Sequence, residues 1–316
     1  LIVKAKGGLG NRMLSAVTAC VLAELVGRAV AIDWRDGMYL PEGQNLYPLL
    51  FDDSQSLDPA RFDEASDVTP AIWAGSLDEH PADMIRRHFP ASHRNPLVYR
   101  KLCVDLANSD PASEVAVFWS YLPKMPRLRR RLAHDARFAG RPERVIVRQT
   151  LKTHFTPVEP VLSAVDALFA RFSGPVIGVH IRFTDRKAPL PKILERIRGL
   201  REQEPDAPIF LATDSAEAQD AVHASFDNVH ALEKTLSAGD AGLHFRSDEA
   251  ADPLTEARAA LADMIALSRC EWLVHSSHST FSVTAALIGD IPPGRQRDVD
   301  RYNVKVQAKR WFQSWV

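Results

Sequence analysis

The sequence predicts an α/β protein of two halves, each built on a parallel sheet with helices on both faces. Three observations lead there. Strand-like and helix-like patterns alternate along the chain, as they do when helical crossovers link parallel strands. A length of 316 residues is about twice the usual domain, so two domains or one large α/β unit is expected. The strand–helix patterns fall into two series parted near residues 150–160, placing a first domain at 1–155 and a second at 156–316.

The first forty residues read as a β-loop-α-β unit. Leu1, Ile2 and Val3 form a short apolar strand, and Gly7, Gly8, Leu9 and Gly10 a turn. Met13 to Val26 carries apolar residues at helical spacing, with Gly27 as the stop. Ala29 to Ile32 is a buried strand ending at Asp33 and Trp34. Between Tyr39 and Arg100, prolines at 41, 48, 59, 70, 81, 90 and 96 cut the pattern into short helices and loops. Val115 to Trp119 is again a strand, Arg127 to Arg137 a basic helical stretch, and Val161 to Phe172 an amphipathic helix. The second series opens with Pro175 to Ile181, the strongest strand in the chain. Helix over Ile193–Arg201, strand over Pro208–Ala212 and helix over Ala216–Ser225 follow. A long helix over Leu254–Ser268, a strand over Trp272–Val274 and a helix over Phe281–Ile288 complete it.

Composition excludes whole classes of function. Hydrophobic residues at 46% and charged residues at 25% describe an ordinary globular protein rather than a disordered chain. Thirty-nine Lys and Arg against forty Asp and Glu give a net charge of -1, so no global field selects nucleic acid or an anionic membrane. Cys20, Cys103 and Cys270 are unclustered and odd in number, which argues against a disulfide framework or a cysteine-based zinc site. No apolar run approaches the roughly 20 residues of a membrane span, and the first residues lack a signal-peptide layout. Leu1 in place of an initiating Met leaves trimming of the chain open. A cytoplasmic location is the expectation.

Five segments carry residues suited to chemistry. The turn at Gly7–Gly10 follows a strand and opens a helix, where backbone N–H groups at Gly8, Gly10 and Asn11 can meet an anion or a sugar. It lacks the Lys-Ser/Thr of a nucleoside triphosphate loop, and a plain tight turn explains it equally well. His180, Arg182, Asp185, Arg186 and Lys187 leave the carboxyl end of the strongest strand, where open α/β sheets bind ligands. Arg182 suits bidentate phosphate recognition, and Asp185 can orient a neighbouring arginine. Asp214 ends another strand and, with Ser215, reads either as a ligand group or as a helix cap. Asp263 is a carboxylate on an otherwise apolar helix. Burial makes that expensive without a partner, which the paired N–H donors of guanine or an arginine would supply. His275 to Thr280, with Ser277, His278, Ser279 and Thr280 at a helix start, can hold a phosphate. His275 and His278 have no Cys or acidic neighbour to complete a metal site. Asp298 and Asp300, among Arg295, Arg297 and Arg301, read as a salt-bridged surface loop. No Gly-x-Ser-x-Gly elbow occurs, and the basic run Arg127–Arg131 reads as a solvated helix face.

Taken in order, these motifs resemble the α1,6-fucosyltransferase superfamily, its rhizobial nodulation and core-fucosylating branches above all. The similarity runs through Gly7–Gly10 and Gly27–Arg35, then Val179–Asp185, Leu211–Asp214, Ala260–Met264 and Trp272–Ser279. It implies a GT-B fold, two Rossmann-like domains facing a central cleft, with the acceptor on the N-terminal domain and GDP-fucose on the C-terminal one. It also implies inverting transfer to a glycan or lipid-linked saccharide without a metal, and no nucleic-acid partner. By that resemblance Arg182 neutralises the β-phosphate, Asp263 reads guanine, and His180, Asp214 and Ser279 line the nucleotide pocket, with Asp185 steadying the phosphate loop. The chain departs from the family at Phe183, where many members carry a second arginine, and at Ala188–Pro191, where the acidic base is missing. Asp33, Asp185 and His244 are the remaining candidates for that base. Transfer of another nucleotide sugar and a non-catalytic nucleotide- or glycan-binding module are the alternatives. The final helix, Val306–Val316 with Trp311, Phe312 and Trp315, either crosses back to the first lobe or docks on the inner membrane surface.

Overall fold

The computed structural model describes residues 1–92, 96–107, 111–183, 188–234 and 252–315. The chain forms two compact units, Leu1–Thr156 with Ala308–Val316, and Pro157–Gln307.

In the first unit β1 (Ile2–Lys4), β2 (Ala31–Asp33), β3 (Val68–Thr69) and β4 (Val115–Trp119) form one parallel sheet in the order β2-β1-β4-β3. Every residue of β1, β2 and β4 is buried, as expected of parallel strands covered on both faces. Helix α1 (Leu9–Val26) is buried without a break from Leu9 to Ala23. It is long and apolar enough to cross a membrane by length and hydropathy, contrary to the sequence expectation, yet 83% of that window is packed inside the unit. It starts at Leu9 rather than Met13 because Gly8, in extended conformation, serves as its N-cap. It ends at Gly27, whose left-handed φ of 68° turns the chain and lets its N–H reach Ala23. Helices α2 (Tyr47–Leu50), α3 (Pro81–His88), α4 (Met125–His134) and α5 (Glu143–His154) complete this unit. Trp34, Tyr47, Phe51 and Phe155 pack as one aromatic cluster, with ring centroids 5.1–6.3 Å apart.

The carboxyl edge of this sheet carries a buried ion network. Lys4 Nζ lies 2.6 Å from Asp33, and Arg35 forks onto both Asp33, at 3.0 Å, and Asp63, at 2.8 Å. Arg12 donates to the Gly7 carbonyl at 2.7 Å and pairs with Asp36 at 2.6 Å, its guanidinium lying over the rings of Trp34 and Tyr39. Burial alone would raise the Asp36 carboxyl, but Arg12 and His80 outweigh it and hold the pKa at about 2. A depressed folded-state pKa adds stability above the unfolded value and loses it as pH falls through the folded one. Acid unfolding is therefore expected to gain steepness between the ordinary 3.8 and about 2, and Asp36→Asn should flatten that limb. Urea midpoints across this range check it.

The second unit begins with α6 (Glu159–Phe169) and is built on β5 (Ile177–Ile181), β6 (Ile209–Thr213), β7 (Val229–His230), β8 (Trp272–His275) and β9 (Gln296–Asp298). They form a parallel sheet in the order β7-β6-β5-β8-β9, the half-Rossmann winding with its reversal between β5 and β8. Helices α7 (Leu190–Arg201), α8 (Ala216–His223), α9 (Pro253–Ser268) and α10 (Thr280–Ile288) follow successive strands. Gly178 is needed in β5 because a Cβ there would stand 2.9 Å from Cys270, just past the end of α9. The last helix, α11 (Val304–Trp315), begins in this unit, and its residues from Ala308 onward group with the first.

Strands β3, β7 and β9 and helix α5 are not foreseen by the sequence. Two of the strands are only two residues long, and Gln296–Asp298 is polar.

Candidate functional site

At the carboxyl edge of the second sheet, β5 ends in His180 and Ile181 and releases Arg182 and Phe183. His180 is buried and stacks on Phe281 at 5.0 Å, and burial, helped by nearby His275, Lys234 and Arg182, lowers its pKa to about 3. It is therefore a neutral imidazole. One strand over, Asp214 accepts from the Phe183 N–H at 2.8 Å and so pins the segment that carries Arg182. The cap of α8 is Ser215, whose Oγ accepts from Ala218 N. The cap reading of Asp214-Ser215 thus falls to Ser215, while Asp214 holds the Phe183 backbone.

Asp263 projects from α9 and is 2% exposed. Lys234 Nζ hydrogen-bonds its Oδ2, while Oδ1 is buried with no partner. Burial raises the Asp263 carboxyl more than Lys234 lowers it. The partner is a lysine, not the arginine considered from sequence.

After β8, residues 276–279 fold into a tight loop that starts α10. Ser277 N donates to Asp298 at 2.9 Å, Ser276 Oγ donates to Asp300, and His278 N donates back to Ser276 Oγ at 3.1 Å. Ser279 is the N-cap of α10, yet its Oγ caps nothing and is buried without a partner. Asp298 and Asp300 hence do not form the salt-bridged loop expected from sequence. Among the described residues, Arg295 pairs with Glu271, while Arg297 and Arg301 lie over the rings of Trp272 and Tyr302. The two carboxylates instead shape the serine loop, a role hidden because β9 carries no apolar signal. His275 is likewise structural, with Nδ1 3.1 Å from Ser282 and Nε2 3.2 Å from Gln296.

Residues 143–291 match the family model for nodulation protein Z, NodZ. Over that stretch the chain is similar to NodZ. It is 24% identical over 298 residues to nodulation protein Z of Bradyrhizobium diazoefficiens, covering 87% of this chain and 74% of that one. The crystal structure of NodZ α-1,6-fucosyltransferase soaked with GDP-fucose superposes with a TM-score of 0.62 at 22% identity, covering 91% of both chains. The structure of POFUT1 with GDP-fucose gives 0.52 at 13% identity, covering 94% of this chain and 96% of that one. The fold of the chain is accordingly GT-B, two Rossmann-like units.

The second unit gathers most residues named from sequence. Arg182 and Asp214 meet through the Phe183 backbone, Asp263 stands on α9, and Ser277, His278, Ser279 and Thr280 form the start of α10. Gly8, Gly10 and Asn11 belong to the first unit, where Gly7 takes a φ of +82° and a Cβ on it would meet the Tyr121 ring at 2.6 Å. Asp185, Arg186, Lys187 and His244 lie outside the described residues. Asp33 does not suit the part of base. Lys4 and Arg35 occupy both its oxygens and hold its pKa low despite burial, whereas a base at neutral pH needs a pKa near 7. Sequence reading missed Lys234, and it assigned Asp298 and Asp300 to a surface loop instead of to the serine loop that they bond.

Proposed function

We propose that the chain is an inverting, metal-independent glycosyltransferase that moves fucose from GDP-fucose to a hydroxyl of a glycan or lipid-linked saccharide. One observation carries the reading. Two buried side-chain oxygens, Asp263 Oδ1 and Ser279 Oγ, lack partners in residues that line the carboxyl edge of the second sheet. Buried polar atoms are otherwise almost always paired, so these two suit a polar ligand. Guanine offers Asp263 its adjacent N–H donors. The hydroxyl of Ser279, at the N-terminal end of α10, suits a phosphate.

The chemistry follows from these groups. The acceptor hydroxyl oxygen attacks the anomeric carbon and passes its proton to solvent, the bond from that carbon to the β-phosphate oxygen breaks, and GDP leaves with the electron pair. Arg182 neutralises the charge that grows on the phosphate, and Asp214 keeps its segment in place. A neutral His180 walls the pocket without adding charge. Fixed cations and backbone dipoles can stabilise the leaving charge in a transfer of this kind. We infer a cytoplasmic location, and exposed Trp311 and Phe312 support contact with the inner membrane surface, where a lipid-linked acceptor would sit.

Thermal unfolding in chelator with GDP, UDP or CMP tests the reading. A ligand at a hundredfold excess over its Kd stabilises the folded state by about 2.7 kcal/mol. Only GDP is expected to raise Tm, and Asp263→Asn should abolish the rise. Equal shifts with all three nucleotides, or none, would sink the proposal.

A further inference from the structure

Among the described residues of the first unit, Lys6 has no carboxylate partner. Lys6 lies just past β1, where the sheet order reverses between β1 and β4. Such a reversal opens the crevice in which parallel sheets take ligands. From the other side of that crevice, β4 ends at Trp119 and leads to Tyr121, which packs on the Gly7 turn and is 37% exposed. Lys6 Nζ stands 5.9 Å from the Tyr99 ring centroid and 6.0 Å from that of Trp119, and the two rings pack at 4.7 Å.

Four other cations of the unit have carboxylates. Lys4 has Asp33, Arg12 has Asp36, Arg35 has Asp63 and Arg86 has Asp83. Among the described residues no carboxylate pairs with Lys6. Burial and the like charge of Arg86 both lower its pKa. A partly desolvated ammonium without a counter-ion is unfavourable, and aromatic faces offset only part of that. Trp119 Nε1 beneath it is also buried without an acceptor. Tyrosine faces beside a cation match a pyranose ring that bears an acid: the rings cover the sugar's C–H face and the ammonium meets its charge.

We propose that Lys6, Tyr99 and Tyr121 form a subsite for an anionic sugar residue, a carboxylate or phosphate on a pyranose ring, within the acceptor glycan. This rests on the glycosyltransferase reading and adds the chemical class of its acceptor. The full chain is titrated calorimetrically with three probes: neutral chitotetraose, a chitotetraose carrying one phosphate, and a tetrasaccharide alternating glucuronic acid with N-acetylglucosamine. At least one acidic probe should bind roughly tenfold or more tighter than the neutral one, the scale of one charge-assisted hydrogen bond. Whichever acidic probe is preferred identifies the group. The preference should weaken with salt, vanish in Lys6→Gln and persist in Lys6→Arg, which keeps the charge. Equal affinities, no binding at millimolar probe, or a preference that survives Lys6→Gln would overturn the subsite. The GDP-induced Tm rise, measured on the same samples, keeps the two ideas apart. A GDP rise without acidic preference overturns the subsite alone. No GDP rise in wild type overturns the reading beneath it.

Discussion

Arg182→Ala is expected to slow GDP release from GDP-fucose by roughly a hundred- to a thousandfold, the cost of deleting one preorganised group that meets developing charge. Under the proposed function, its neighbours fix the backbone that carries it. Arg182 leaves β5 at its carboxyl end, and the next residue's N–H is held 2.8 Å from Asp214. Arg182→Lys should recover only part of the rate, since an ammonium cannot fork onto two phosphate oxygens. Tm without nucleotide should stay near wild type, because the residue lies at the edge of the core and not within it. GDP formation with water or a chitooligosaccharide as acceptor measures the rate. Unchanged GDP formation in Arg182→Ala would remove Arg182 from the mechanism.

Asp33→Ala should destabilise the first unit by about 3–5 kcal/mol, the range for breaking a buried pair and stranding the partner charge. Lys4 is 4% exposed and would keep only the Leu77 carbonyl as a partner. Arg35 would retain its two bonds to Asp63. The double change Asp33→Ala with Lys4→Met should cost less than Asp33→Ala alone, since no buried ammonium then lacks its counter-ion. Urea denaturation of both variants decides it. A double variant no better than the single would show that Lys4 is not the stranded charge.

Much of the second unit was legible because its signals are local. Ile177–Ile181 and Ile209–Thr213 are apolar runs buried at every position, and a parallel sheet turns such runs into strands wherever they occur. The candidate site was readable for the same reason. Residues at the ends of apolar strands reach the carboxyl edge whatever the intervening loops do. Illegible features were those whose cause is distant in sequence. Lys234 meets Asp263 across 29 positions and Ser277 meets Asp298 across 21, and no periodicity encodes such pairings. In the first unit the prolines hid strand β3, which owes its existence to pairing with β4 rather than to its own two residues.

The serine loop at the start of α10 takes its shape from the two carboxylates on and just after edge strand β9. The block that matches NodZ and the block that shapes this loop therefore have different ends. The NodZ match stops at residue 291, short of Asp298 and Asp300. A recombinant fragment cut at that limit would keep every signature residue of the loop and lose the clamp that gives the loop its form. Expression boundaries drawn by similarity alone would thus yield a protein with an intact motif and a misshapen pocket. Equally, substitutions on this outer strand offer a way to tune the pocket without altering a residue that lines it.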